Sequence, residues 1–200
     1  MTRSNETYDI GVIHGRFQVL HNDHLQYLLA GKARCRHLVV GVTNPEPSMT
    51  QSEEADPQRS ASLANPLTYY ERYQLIRSAL VEAGIALSEF SVVPLPISEP
   101  LRYHHYVPMD AVFFLSIYDD WGQRKKEYFE SIGVNVVVLR EVSPEDKGIS
   151  ATTVREKLLN QEPWRHLVPR SVAALIDQWN LGQRLLDLKT SATSLSEKVE

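Results

Sequence analysis

Tyr8-Asp9-Ile10-Gly11-Val12-Ile13-His14-Gly15-Arg16-Phe17-Gln18-Val19-Leu20-His21-Asn22-Asp23-His24 holds the information that decides the fold. Tyr8–Ile13 has the apolar character of a short buried strand. A loop bearing Gly, His and Arg follows it. Asn22 or Asp23 is suited to cap the next helix, whose apolar positions include Leu25, Leu28 and Leu29. A loop between a strand and a helix start presents free backbone N–H groups and the positive end of the helix dipole, a natural seat for a phosphate. Gly15 lets a ligand approach the backbone closely. His21 and His24 are three residues apart and fall on one side of the helix start. Two imidazoles there donate to phosphate oxygens, and such donation strengthens as charge builds during phosphoryl transfer. Histidines at this spacing also occur as metal ligands or as plain structural pairs, but no carboxylate or cysteine stands nearby at metal-site spacing.

Outward from this stretch, strands and helices alternate. His37–Val42 is a second strand. The segment 43–66, rich in Pro, Ser, Asn and acidic residues, is a long loop. Thr68-Tyr69-Tyr70-Glu71 has capping-box spacing and opens a helix to about Ala83, ended by Gly84. Phe90–Leu95 and Ala111–Ser116 are strands, Arg124–Ile132 a helix, and Val134–Leu139 a fifth strand. Ser150 or Thr153 caps the next helix, with Glu156 completing a box from Thr153. Arg170–Leu188 is a last amphipathic helix, and Thr190–Glu200 a polar, frayed end. Continuous apolar strands alternating with helices imply an α/β protein: a Rossmann-like, doubly wound, parallel five-stranded sheet with helices on both faces and a C-terminal helical extension. Ligands then bind at the carboxyl ends of the strands, near the switch in strand order.

Composition narrows the function classes. The net charge of −4 argues against a general nucleic-acid binder, and no apolar run approaches a membrane span. The N-terminus lacks a signal-peptide core. One cysteine, Cys35, has no partner for an internal disulfide, which suits a reducing cytoplasm.

Two further motifs lie after strands. Gly148-Ile149-Ser150-Ala151-Thr152-Thr153-Val154-Arg155 makes a second anion seat, with Arg155 one turn into its helix. Taken alone it is an ordinary N-cap beside an exposed arginine. Asn65-Pro66-Leu67-Thr68-Tyr69-Tyr70-Glu71-Arg72 is the other, and taken alone it is a capped helix start with a solvated Glu-Arg pair.

GRFQ with the histidine pair, followed far downstream by ISATTVR, resembles the HxGH/ISSTxxR nucleotidyltransferase superfamily. The NP-L-T-x-x-ER run, Pro94–Pro96, and EPW-x-x-LVP-x-SV at Glu162–Val172 are most similar to archaeal-type nicotinamide-mononucleotide adenylyltransferases. The resemblance implies a nucleotidyltransferase domain over residues 1–188, with 43–66 as a loop insertion, 163–188 as a C-terminal helical part, and a tail at 189–200. It implies a cytoplasmic enzyme that transfers AMP from ATP to nicotinamide mononucleotide. Gly15, Arg16, Phe17 and Gln18 would line the ATP site. His21 and His24 would meet the phosphates with Arg72 nearby, and His21, His24 and Arg155 would be the catalytic groups. Ile149, Ser150, Ala151 and Thr152 would hold the nucleotide from the other side. Mg²⁺ would come with the triphosphate, and no protein metal site is expected. Family members often assemble as homo-oligomers; the apolar stripe of the last helix would serve such a contact or its own core.

Four positions depart from the family pattern. Asp23 replaces the glycine between the histidines, and its own reading is helix capping. Thr43-Asn44-Pro45 replaces a small-residue turn near the acceptor. Leu115-Ser116-Ile117-Tyr118 replaces a Thr-Gly-Asn turn. Tyr103, beside Arg102, replaces a tryptophan that stacks on nicotinamide. Arg102, Tyr103, Asn44 and Ser116 are therefore the expected acceptor contacts. The alternatives are adenylyl or cytidylyl transfer to another phosphorylated acceptor, such as nicotinate mononucleotide, and a non-catalytic nucleotide-binding regulator.

Overall fold

The structure, a computed structural model, describes residues 7–47, 62–142 and 148–196. Most of the expected loop at 43–66 lies outside the described residues. Five strands, β1 (Tyr8–Gly15), β2 (Cys35–Thr43), β3 (Phe90–Leu95), β4 (Val112–Ile117) and β5 (Asn135–Glu141), form one sheet in the order β3-β2-β1-β4-β5. Every neighbouring pair is parallel. The chain moves outward on one side of β1, then returns to its other side at β4, so the switch in strand order falls between β1 and β4. Pairing there is confined to Gly11 with Val112 and Val12 with Phe113. Beyond Val12 the two strands no longer pair, and a gap opens at their carboxyl ends.

Successive strand residues point to opposite faces, and the core divides accordingly. Ile13, Leu38, Val40 and Val42 pack on one face against α1 (Asn22–Lys32), α2 (Tyr69–Glu82), α4 (Ala151–Leu159), α5 (Arg170–Gln178) and α6 (Leu181–Ser196). Val12, Val39, Phe113 and Leu115 pack on the other, against Phe129 of α3 (Asp120–Ser131) and the short turn Pro100–His105. Gly31 makes the first face close: a Cβ at this position would collide with Ile13, so α1 rides directly on β1.

Several expected boundaries shift, each for a local reason. α1 is capped by neither Asn22 nor Asp23 but by His21, whose Nδ1 accepts from the His24 amide at 3.4 Å. α3 starts at Asp120, not Arg124, because the Asp119 carboxylate accepts from the Gly122 amide at 2.9 Å. α4 is capped by Ser150, and Thr153 sits inside it as the donor to the Ser150 hydroxyl. The expected single last helix is two: Asn180 adopts a positive φ of 50° and breaks it, and α6 then continues to Ser196 through the segment expected to fray. The apolar residues Val172, Ala173, Ile176, Leu181 and Leu185 of these helices pack into their own core. No described helix is long and apolar enough to cross a membrane.

Candidate active site

A cleft of about 770 Å³ lies at the carboxyl ends of β1 and β4. Its floor is set by the sheet, and its walls by the starts of α1, α3 and α4. From the first motif, Gly15, Arg16, Phe17, His21, Asp23 and His24 line it; from the second, Ile149, Ser150, Ala151, Thr152 and Arg155. Two helix starts far apart in sequence thus share one hollow. Each leaves first-turn amides without intrahelical acceptors and turns the positive end of its dipole inward.

Direct bonds tie the two starts together. The Asp23 carboxylate accepts from the Ile149 amide at 2.7 Å. The Arg155 guanidinium donates to the Gln18 carbonyl and, at 3.1 Å, to the Thr152 hydroxyl. Gly148 at φ 63° lies so close to Asp23 that a Cβ there would strike the carboxylate. Asp23 therefore does not cap α1. Its charge is spent on the backbone of the opposing motif. Asp23→Ala is expected to destabilise by about 1.5–3 kcal/mol, the range for a hydrogen bond to a charged group. It should also speed hydrogen exchange at the 148–150 amides; unchanged protection there would contradict the linkage.

The electrostatics suit a polyanion. Burial lowers the Arg155 guanidinium to about 10, and the nearby Arg16 charge adds to the effect. Arg72 is lowered to about 10 by the same two causes. Arg16, whose charge lowers both Arg72 and Arg155, thus sits within a local concentration of positive charge inside a chain whose net charge is −4. The histidines respond similarly. Burial pushes His21 down to about 4, partly opposed by Asp23. His24 falls well below the usual imidazole range through burial, with His21 adding to it and a Val19 backbone hydrogen bond opposing. Both rings are neutral at pH 7. Since His21 Nδ1 accepts the His24 amide, its proton sits on Nε2, leaving that N–H as a donor for a ligand.

These depressed values have a stability consequence. Unfolded imidazoles titrate near 6.5, whereas the folded ones resist protonation, so the unfolded chain binds more protons as pH falls through 6.5 toward His21's value of about 4. Stability is then lost with acidification across that window. A fall in Tm from pH 7.5 to pH 5 is expected, and His21→Gln should flatten it. An identical slope in that variant would place His21 in solvent.

Five expected contacts are not on the cleft. Arg72 is 2% exposed. Its guanidinium donates to the carbonyls of Arg16, Thr43, Asn44, Pro45 and Thr68, at 2.8 to 3.3 Å. It holds backbone rather than phosphate, and Asn44 contributes its carbonyl to that clamp rather than a side chain to an acceptor. Gln18 turns its amide onto both backbone groups of Leu67, each at 2.9 Å. Tyr103 is fully buried, its hydroxyl donating to the Ile97 carbonyl at 2.6 Å; no face is left to stack on a ligand. Arg102 pairs with Glu99 at 2.8 Å on the surface of the same turn. Of the expected acceptor contacts only Ser116 lines the cleft. The sequence reading missed His14, Tyr118, Asp119 and Lys125, which line the β4–α3 side. An earlier start for α3, signalled by Asp119 as a cap, would have brought Lys125 into view.

Among the described residues no group of three His, Cys, Asp or Glu side chains could hold a metal ion. The carboxylate between the histidines is bonded to a backbone amide.

A cleft at the switch point of a parallel sheet, gripped by two helix starts bearing HNDH and ISATTVR, defines a nucleotidyltransferase. Residues 12–157 match the family model described as cytidylyltransferase-like, and the chain belongs to that family. It is 46% identical over 175 residues to a phosphonoformate cytidylyltransferase of Streptomyces viridochromogenes, covering 88% of this chain and 94% of that protein. It is 28% identical over 191 residues to a nicotinamide-nucleotide adenylyltransferase of Thermococcus kodakarensis, covering 95% of this chain and 94% of that one. The fold is shared with a bifunctional NMN adenylyltransferase/ADP ribose pyrophosphatase of Francisella tularensis, with TM-score 0.66 and 19% identity. That match covers 96% of this chain but 55% of the bifunctional one.

Proposed function

We propose that this chain is a cytidylyltransferase that joins CMP from CTP to a small phosphonate, releasing pyrophosphate. The observation that carries the transfer chemistry is the convergence of the α1 and α4 starts, with Arg16 and Arg155, on one cleft. The cytidylyl donor and phosphonate acceptor are supported by the 46% identity to a phosphonoformate cytidylyltransferase across nearly all of both chains.

An acceptor oxygen, already anionic at neutral pH, attacks the α-phosphorus of CTP in line. A new O–P bond forms, the bond from the α-phosphorus to the bridging oxygen breaks, and pyrophosphate departs with the electron pair. No general base is needed, since the nucleophile carries its charge beforehand. Catalysis consists of holding two polyanions together and offsetting developing charge. The His21 Nε2–H, His24, Arg155 and the first-turn amides supply that offset. Mg²⁺ belongs to the substrate, travelling with the triphosphate, and the reaction belongs to the cytoplasm, where nucleoside triphosphates are made.

Adenylyl transfer to nicotinamide mononucleotide is the second reading, favoured by the 28% identity to adenylyltransferases along 95% of the chain. Burial of Tyr103 weighs against it, because the residue standing for the stacking tryptophan is inside the core. Pyrophosphate release separates the two. CTP and ATP are each paired with phosphonoformate, nicotinamide mononucleotide and nicotinate mononucleotide. Release is expected with CTP and phosphonoformate. ATP with nicotinamide mononucleotide as the best pair would replace this reading, and nucleotide binding without release under every pair would make the chain a regulator.

A further inference from the structure

The gap between β1 and β4 is held open by a side chain. Pairing stops at Val12 with Phe113. Carried two residues further, the same register would set His14 opposite Leu115. In a parallel ladder the His14 backbone would then bond to the Phe114 carbonyl and the Ser116 amide. Both groups are instead taken by Tyr27 of α1. Its hydroxyl donates to the Phe114 carbonyl at 2.6 Å and accepts from the Ser116 amide. One phenol thus stands in for a strand residue, and β4 keeps its hydrogen bonds while β1 peels away. His14, Tyr27 and Ser116 all border the cleft that results.

His14 stands in that opening with nothing to bond. It is 6% exposed, and both ring nitrogens are buried without a hydrogen-bond partner. Native interiors seldom tolerate two such atoms on one ring. The Phe129 ring packs against it at 83°, centroids 5.3 Å apart, but supplies no lone pair. Burial holds the imidazole well below its usual range, so the ring is neutral and carries one N–H. Turning it over about Cβ–Cγ exchanges each nitrogen with a carbon in nearly the same outline, so either edge is available to the cleft. An oxygen lone pair satisfies that N–H, whether or not the oxygen is charged.

Position decides which substrate brings that oxygen. His14 follows Ile13 along the strand and so lies on the opposite face, with Val12, away from the side where α1 and α4 pack. An in-line displacement puts the nucleophile across the α-phosphorus from the departing pyrophosphate. With the pyrophosphate at the helix starts, the acceptor approaches from the β1–β4 opening. We propose that this opening is the acceptor subsite and that His14 recognises the acceptor by donating its ring N–H to one of its oxygens. Tyr27 is the positioning residue that keeps the strands apart. The subsite rests on the transfer reading above but not on the choice between a phosphonate and a mononucleotide, since both carry such oxygens.

The test is steady-state pyrophosphate release by wild type, His14→Phe, His14→Gln and Tyr27→Phe. CTP and ATP are each paired with phosphonoformate, nicotinamide mononucleotide and nicotinate mononucleotide. With the pair that wild type uses, His14→Phe should raise the acceptor KM at least about tenfold, the loss for a hydrogen bond to a charged group. The nucleotide KM should shift by less than about twofold. His14→Gln keeps an N–H donor and should show a smaller rise. Tyr27→Phe removes the hydroxyl alone and lets the strands pair, so it should raise the acceptor KM about fivefold or more, again sparing the nucleotide. It carries the test if His14→Phe fails to fold. An acceptor KM within about twofold of wild type in either variant, or equal rises in both KM values, would overturn the subsite. Should wild type release pyrophosphate with no pair, calorimetric titration with phosphonoformate replaces the KM. Binding at least about tenfold weaker in His14→Phe would then retain the subsite and remove only the transfer reading. Unweakened binding, or no wild-type binding, would remove the subsite as well.

Discussion

His24→Ala is expected to lower turnover at saturating nucleotide by about 10²–10³-fold, the loss seen when one donor to a developing charge is removed. His24 stacks on His21 with ring centroids 3.7 Å apart and meets Phe17 edge-on at 5.1 Å, so its orientation is fixed from two sides. Its Nδ1 is buried without a partner. A fixed, neutral ring at the α1 start needs no reorganisation when charge builds on the α-phosphate. Comparison with His21→Ala separates chemistry from folding. His21 caps α1, so its loss removes a donor and also about 1 kcal/mol of helix stabilisation. Both variants should lose turnover, and His21→Ala should lose more thermal stability. Turnover in His24→Ala within threefold of wild type, measured by steady-state pyrophosphate release, would remove the ring from catalysis.

Arg72→Met carries the largest expected effect on stability. The methionine fills much of the volume but leaves five carbonyl oxygens without the donors they now have. Burial already costs the guanidinium, as its lowered proton affinity shows, and those carbonyl dipoles are what compensates it. Among them are the three successive carbonyls of Thr43, Asn44 and Pro45, where Asn44 turns through φ 47°. The Arg16 carbonyl also belongs to the set, so one side chain pins the end of β2 to the loop after β1. Losing it should destabilise by about 3 kcal/mol or more, a large part of a typical folding free energy. For a chain of this length that lowers Tm by roughly 6–12 °C. Thermal denaturation checks it. An unchanged Tm with lost nucleotide binding would return Arg72 to direct phosphate contact.

The contrast between Arg72 and His24 shows what can be read in this chain before it folds. The βαβ framework is legible because apolar runs and cap residues are local signals. Phe90–Leu95 has the same bounds in sequence and structure, and the Thr68–Glu71 box forms as its spacing implies. Both anion seats were visible for the same reason: each is a strand followed by a loop and a helix start. Their meeting across the cleft follows from the parallel topology. Arg72 is illegible because its partners are backbone carbonyls, from two distant segments and from the start of its own helix, and carbonyls carry no sequence mark. Tyr103 was misplaced by its company. Among Leu101, Arg102, His104 and His105 it looks like part of a surface cluster, yet Leu101 is 90% exposed and Tyr103 is buried. The carbonyl of Ile97 and the ring of Phe129 decide that inversion, and Phe129 arrives from another element. Asp23 stands out in the sequence as a departure, but its partner, the Ile149 amide, lies in the other motif.

Everything proposed for catalysis depends on the α1 and α4 starts gripping one triphosphate. The most direct measurement is a crystal structure of the protein with CTP. The expected density places the phosphate chain between His21 and His24 on one side and Ser150 and Arg155 on the other, within hydrogen-bond distance of both. Phosphates bound to one helix start alone, or CTP bound outside the cleft, would contradict the shared grip and the transfer chemistry built on it.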